Sequence, residues 1–294
     1  MENIIEVKDL WEVYSEKEVF FDVDDRDLIA ALDESNESVV AVRGVSFTVK
    51  PGEVFIVMGL SGSGKSTLIR CLLRLVEISW GEVRINGQDV TAMNMKELTE
   101  FRRNQVAMVF QHYGLLPHKT VLENAAFGLK LRGVPKKERH ERAFESLKVV
   151  GLQDWVDYYP ASLSGGMLQR VGIARAHVAD TPLLLMDEPF SGLDPLIRRE
   201  MQDELMRIQQ EYRKTIFFVT HDLDEAMRLG DRMAVMRNGE IVQIGRPAEV
   251  FARPADDYVA RFVQDKRDEI RRADEQMAAM AASQAERAGV GDVS

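Results

Sequence analysis

Four continuous apolar runs punctuate the chain: Val54 to Met58, Val106 to Phe110, Leu183 to Met186 and Thr215 to Thr220. Each is of strand length and lacks the alternation of a half-exposed strand, so each reads as a strand buried on both faces. Between them the period changes. Lys65 to Leu75, with Leu68, Leu72 and Leu75 at helical spacing, predicts a helix with one apolar face. Residues 95–104 and most of Pro117 to Val150 also read as helical, and Ser162-Leu163-Ser164-Gly165-Gly166 starts another helix. Buried strands alternating with helices predict an α/β fold with a mainly parallel sheet covered on both faces, whose ligands bind outside the carboxyl ends of the strands.

The rest of the pattern is more local. Ile4 to Val7 reads as a short strand, and Leu10 to Tyr14 adds aromatic residues before the alternation dissolves. Val45 to Val49 alternates again, and Pro51-Gly52 turns the chain into the first buried run. Asn86-Gly87 after Glu82 to Ile85, and Asn238-Gly239 between Met233 to Met236 and Glu240 to Ile244, predict tight hairpins. Residues 15–38 set nine acidic residues against Lys17 and Arg26, an acidic insertion expected to be a solvated excursion with a short helix at Leu28 to Leu32. Residues 264–294 turn to Asp, Glu and Arg and then to Ala and Met, and are expected to be a helical extension fraying to a disordered end at Gly289 to Ser294.

Composition narrows the partners. With 45% hydrophobic and 29% charged residues over 294 positions, the chain has the makings of a sizeable core in one large domain or two. A net charge of −10 argues against nucleic acid as a partner. The single cysteine, Cys71, excludes an internal disulfide and a cysteine-rich zinc site, and its place in a helix suggests a small packed side chain. No basic-then-apolar signal segment opens the sequence, and no apolar run approaches the ~20 residues that cross a bilayer, so any membrane role is expected to be that of a peripheral subunit.

The chemistry gathers where the buried runs end. The first is followed by Gly59-Leu60-Ser61-Gly62-Ser63-Gly64-Lys65-Ser66-Thr67, which fits Gly-x-x-x-x-Gly-Lys-Ser/Thr between a strand and a helix. Glycines there let successive N–H groups curl round a polyphosphate, the helix start adds partial positive charge, Lys65 reaches the β and γ phosphates, and Ser66 can ligate magnesium. The second run ends on Gln111, whose amide oxygen can coordinate magnesium or water. The third ends on Asp187-Glu188, placing one carboxylate to hold magnesium opposite Ser66 and the next to orient or deprotonate an attacking water. The fourth ends on His221, placed to donate to a γ-phosphate. Histidines 112, 118, 140 and 177 lack such a place and read as surface or core residues.

Taken in order, Gly59 to Thr67, Gln111, Leu163-Ser164-Gly165-Gly166-Met167, Leu183 to Glu188, Ser191-Gly192-Leu193-Asp194 and His221 resemble the motif set of ATP-binding-cassette ATPases over residues 4–263. The resemblance implies a phosphate-loop NTPase core with an N-terminal antiparallel β subdomain and an inserted helical subdomain at about 112–178. It implies ATP and Mg2+, and a homodimer in which each site joins the phosphate loop of one chain to Ser164, Gly165 and Gly166 of the other. Tyr14 then matches the aromatic that stacks on adenine, with Trp11 the second candidate, and Asp194 matches the residue that communicates across the dimer. Met167 stands where most cassettes have glutamine. Leu193 to Arg198, His221 to Met227 and the early insertion further resemble the ATPase subunit of glycine betaine/proline betaine importers. Many of those continue into a paired regulatory module, which is expected to be missing here. The implied setting is the cytoplasmic face of a membrane, beneath integral permease subunits fed by an extracytoplasmic solute-binding protein. An importer of amino acids or other small solutes is the rival within transport, and a cassette acting on DNA or ribosomes the rival outside it.

Overall fold

The computed structural model describes residues 2–15, 38–111, 113–264 and 268. The expectations for the acidic insertion, for His112 and for nearly all of the C-terminal extension lie outside the described residues. The strands are β1 (Ile5–Ser15), β2 (Ser38–Val49), β3 (Val54–Met58), β4 (Trp80–Ile85), β5 (Gln88–Asp89), β6 (Val106–Val109), β7 (Leu183–Asp187), β8 (Thr215–Thr220), β9 (Arg232–Arg237) and β10 (Glu240–Gly245). The helices are α1 (Lys65–Leu72), α2 (Met95–Asn104), α3 (Val121–Ala125), α4 (Phe127–Leu131), α5 (Lys136–Val149), α6 (Gly165–Val178), α7 (Pro195–Tyr212), α8 (Leu223–Leu229) and α9 (Pro247–Ala252). The chain divides after Pro247 into two units, and both sheets belong to the first. In the second, the carboxylate of Asp256 accepts from the Val259 amide at 2.8 Å, and Val250, Val259 and Val263 are buried.

One sheet runs β2-β1-β4-β5 and is antiparallel; the other runs β10-β9-β3-β8-β7-β6. In the second, β3 pairs parallel with β8 and β9, β8 with β7, and β7 with β6, while the β9–β10 hairpin closes one edge antiparallel. The four apolar runs are thus neighbouring parallel strands, and α3 to α6 form the helical insertion between β6 and β7. Both Asn-Gly steps make their hairpins, with φ of 50° and 72° at Asn86 and Gly87 and 49° and 85° at Asn238 and Gly239, the left-handed pair a two-residue turn demands. A stacked aromatic group joins the sheets: Phe47 of β2 lies 5.3 Å from Phe55 of β3 and 5.7 Å from Phe217 of β8. Burying each ring stabilises by ~2–3 kcal/mol, so this contact fixes the antiparallel sheet over the parallel one.

Two local readings change. β1 is one strand through Ser15 rather than a short strand and a loop, because register shifts between Val7 and Val13, with Asp9 at φ 46°, break the two-residue alternation while pairing continues. The helix after the phosphate loop ends at Leu72, not Leu75. Arg74 turns left-handed, its amide donates to Cys71 O and that of Leu75 to Arg70 O, and Leu75 is left exposed by this stop. Most of the stretch 117–150 is helical as expected, in three helices broken at Ala126 and across Gly133 (φ 77°) and Pro135. Cys71 is fully buried and its thiol is pushed up to about 12 by burial, the inert packed residue expected.

A buried acid lies beneath the carboxyl edge. Glu225 of α8 is 4% exposed and accepts a 2.6 Å hydrogen bond from the Thr220 hydroxyl. Burial pushes its carboxyl up from 4.5 to about 7 against the pull of that bond. A carboxyl raised on folding contributes stability that is complete below about pH 4.5 and lost as pH rises through about 7, worth roughly 3 kcal/mol for such a shift. Glu225→Gln keeps an acceptor for Thr220 and removes the ionisation. Denaturant unfolding should show the variant more stable than the parent at pH 8 and not at pH 5; an equal difference at both pH values would contradict the assignment.

Candidate active site

Residues Gly59 to Ser66 wrap from the end of β3 into α1, and Ser61 to Thr67 line a cleft of about 550 Å³. Tight backbone explains two of the glycines, and a φ of 79° the third, Gly62. A Cβ at Gly59 would fall 2.3 Å from Met236 O, and one at Gly64, at φ 100°, 2.2 Å from Ala41 O. Lys65 is 5% exposed, and its ammonium donates to the carbonyls of Gly59 at 2.8 Å and Leu60 at 2.9 Å. Burial lowers its pKa, and the nearby charges of Glu188 and Asp187 oppose that shift only in part.

The parallel register brings the other candidates to this edge. Met58 is level with Thr220, Val219 with Asp187, and Met186 with Val109, so the residues just beyond all four strands meet. Asp187 is 2% exposed, and the Ser66 hydroxyl donates to it at 3.0 Å. Burial pushes the Asp187 carboxyl up, opposed by that bond and by Arg70 and Lys65. Glu188 sits at φ 46°, a conformation that costs a branched-chain-sized side chain ~1–3 kcal/mol and that clusters at functional sites. Its amide donates to Val219 O at 2.9 Å, which ties the turn to β8. Its Oε2 accepts from Gln111 Nε2 at 3.4 Å and lies 3.1 Å from His221 Nδ1. Four strand ends therefore converge on Ser66, Asp187, Glu188, Gln111 and His221.

Tyr14, exposed and at the end of β1, lines the same cleft with Thr67, whereas Trp11 is buried and its indole donates to Asp9. The sequence reading missed Arg43 and Asn238, which also line it. The hairpin turn at 238–239 rests on the phosphate loop: Gly239 N donates to Ser63 O at 3.0 Å, and Arg43 N to Gly239 O at 2.9 Å. Nothing local marks these positions, since the Asn-Gly pair is already explained as a turn. Of the other histidines, His118 is exposed, His140 is half-buried, and His177 packs in the helical insertion with Nδ1 3.0 Å from the Ser146 hydroxyl.

Ser164, Gly165 and Gly166 do not line the cleft. They open α6, where the Ser164 side chain accepts from the Met167 amide and leaves exposed N–H groups at a helix start. Both glycines are packed: a Cβ on Gly165 would meet Tyr113 Oη at 3.0 Å and one on Gly166 the Leu193 side chain at 3.1 Å. Farther along α6, Arg175 donates to Gly114 O at 2.6 Å and Tyr113 O at 2.9 Å. The helix start is thereby tied to the segments that carry Gln111 and Asp194. Asp194 caps its own helix, α7, by accepting from the Ile197 amide at 3.1 Å.

The donor set suits nucleotide and magnesium. Hydroxyl, carboxylate and amide oxygens are hard ligands, and no cluster of three or more His, Cys, Asp or Glu side chains competes for a softer metal among the described residues. No helix among the described residues is long and apolar enough to cross a membrane.

Residues 42–191 match the family model described as ABC transporter. The chain is 53% identical over 223 residues to the glycine betaine/proline betaine transport system ATP-binding protein ProV of Salmonella typhimurium, covering 76% of this chain and 56% of that one. It is 50% identical over 232 residues to the trimethylamine N-oxide transport system ATP-binding protein TmoW of Pelagibacter ubique, covering 79% and 68%. The chain thus spans about half the length of ProV. A solved dimeric ATP-binding cassette in a post-hydrolysis state, bound to ADP and Pi, superposes with a TM-score of 0.73 at 31% identity, over 83% of this chain and 98% of that one.

Proposed function

The chain belongs to the ABC transporter family of ATP-binding cassettes, and from that premise we propose that it is the ATP-hydrolysing subunit of an importer, acting as two copies beneath permease subunits on the cytoplasmic face of a membrane. The observation that carries this reading is the meeting of Ser66 with Asp187 at 3.0 Å beside Glu188, Gln111 and His221, at the mouth of a loop whose lysine is buried. Residues 1–263 are taken as the cassette, with its helical subdomain at about 112–178.

In this reading Gly59 to Thr67 hold the ATP phosphates through backbone N–H groups and the Lys65 ammonium, and Tyr14 stacks on adenine. Ser66, Asp187 and Gln111 would hold Mg2+, which would supply neutralisation of the triphosphate charge. Glu188 accepts the proton of the attacking water, Gln111 helps orient that water, and His221 donates to the γ-phosphate while its contact with Glu188 fixes both side chains. The helix start at Ser164 supplies a second anion site. Since it lies outside the cleft, we assign it to the ATP held by a second copy, with Asp194 at the same boundary. The dimeric state of the solved cassette supports that arrangement.

For the solute, ProV is named for glycine betaine and proline betaine and TmoW for trimethylamine N-oxide, solutes that share an N-methylated nitrogen bearing four substituents and no N–H. We therefore assign this ATPase to import of a quaternary amine such as glycine betaine or proline betaine, with an extracytoplasmic binding protein delivering it to the permease.

Two measurements test these assignments. Glu188→Gln removes the proton acceptor and keeps its shape, so it should lower steady-state hydrolysis by ~10²–10⁴-fold while ATP binding persists. Near-parental turnover would sink the role given to Glu188. In vesicles carrying the complete complex, ATP-dependent uptake of radiolabelled glycine betaine is expected, and none of a neutral amino acid. Uptake of trimethylamine N-oxide alone, or of an amino acid alone, would leave the ATPase standing and overturn the solute.

A further inference from the structure

Two segments of the site are joined by a contact that the chemistry above does not use. Asp222 follows His221 and caps α8, its Oδ1 accepting from the amides of Asp224 at 2.8 Å and Glu225 at 3.4 Å. Its other oxygen, Oδ2, accepts from Arg198 Nη1 at 3.1 Å. Arg198 lies in the first turn of α7, where its amide donates to Asp194 O at 2.9 Å and its Nη2 to Leu193 O at 3.4 Å. One guanidinium thus spans from the loop before α7 to the turn before α8. Its Nε is buried with no hydrogen-bond partner among the described residues, so the two terminal nitrogens carry its described bonds.

Each end of this bridge is itself anchored. The Asp222 amide donates to the Thr220 hydroxyl at 3.0 Å, and Thr220 donates to buried Glu225, so the backbone that delivers His221 is fixed from below. Leu193 is buried against Gly166 of the other anion site, which fixes the loop end. Farther from the site, Arg228 of α8 donates to Gln202 of α7 at 3.1 Å and pairs with Asp203. The helices are therefore tied at two places, and Arg198 is the tie nearest the chemistry.

We propose that Arg198 is a positioning residue, which holds the loop at Asp194 and the turn at His221 in one fixed relation. The proposal rests on the reading of this cleft as an ATP site completed by a second copy. The Arg198 and Asp222 side chains are about one-third exposed, and a pair of that kind contributes little to global stability. Its consequence is geometric. Should the second copy press on the 191–194 loop, the guanidinium passes the displacement to the histidine that meets the γ-phosphate, and loss of the tie lets the two drift apart. Misplacement of a reacting group by about 1 Å costs up to ~10²-fold in rate.

The test is steady-state ATP hydrolysis by the full chain, with kcat and KM separated and folding checked by thermal unfolding. Arg198→Ala should lower kcat by about 10- to 100-fold with KM for ATP within about twofold of the parent. Asp222→Asn keeps the capping oxygen and turns an amide nitrogen toward the guanidinium, and should give the same split. The double variant should be no worse than the poorer single one, because both break one contact. Arg198→Lys, reaching one acceptor at a time, should recover part of the loss. Arg228→Ala, which cuts the distant tie, should stay within about threefold of the parent. Near-parental kcat in Arg198→Ala, multiplicative losses in the double variant, or an equal loss in Arg228→Ala would overturn the proposal while leaving the site assignment intact. A parent that hydrolyses no ATP would overturn both.

Discussion

The register of four parallel strands is the constraint on which the site depends. β3, β8, β7 and β6 pair so that their carboxyl ends finish nearly level, and each then delivers one chemical group: the phosphate loop, His221, Asp187 with Glu188, and Gln111. A slip of one residue in any strand would turn its polar end away and its buried side chains to the opposite face. Strand interiors such as Phe55, Leu185 and Phe217 are fully buried, so the hydrophobic effect that builds the sheet also fixes where the chemistry stands. Glu188 shows the cost of that placement, since it holds a left-handed backbone and is tied to β8 through its own amide.

Around this edge lie the two kinds of anion site proposed above. One is the glycine loop with Lys65, enclosed by the antiparallel sheet at Ala41 and by the hairpin turn at Gly239. The other is the bare helix start at Ser164, which faces outward and has its own links to the Gln111 and Asp194 segments through Tyr113, Arg175 and Leu193. Each is an incomplete environment for a triphosphate. In the arrangement proposed above, two copies facing each other would complete both, and the links between the segments would relate events at one phosphate group to the position of the other.

The sheet was readable from the sequence because buried parallel strands are uninterrupted apolar runs, and the Asn-Gly turns because their left-handed backbone restricts the residue types. Gly59 to Thr67 was readable for a related reason, Gly59 and Gly64 answering to close approaches and Gly62 and Gly64 to left-handed backbone. What escaped is tertiary. β1 hides its length because bulges shift its alternation, and Phe110 closes an apolar run yet lies outside β6 and 37% exposed. Arg43 and Asn238 reach the cleft only because the antiparallel sheet and the β9–β10 turn fold over the loop. Arg198 and Asp222 stand 24 residues apart, and no local pattern marks them as partners.

The central claim is that one chain holds two halves of different sites, and mixing two inactive variants tests it most directly. Lys65→Ala damages the phosphate loop and Ser164→Arg blocks the helix start, so each variant alone has no intact composite site. A mixed dimer has one, built from the loop of the second and the helix start of the first. ATP hydrolysis should therefore reappear on mixing the two purified variants and rise with the fraction of mixed dimer. A mixture no more active than the sum of its parts, with mixed dimers demonstrably formed, would contradict the account.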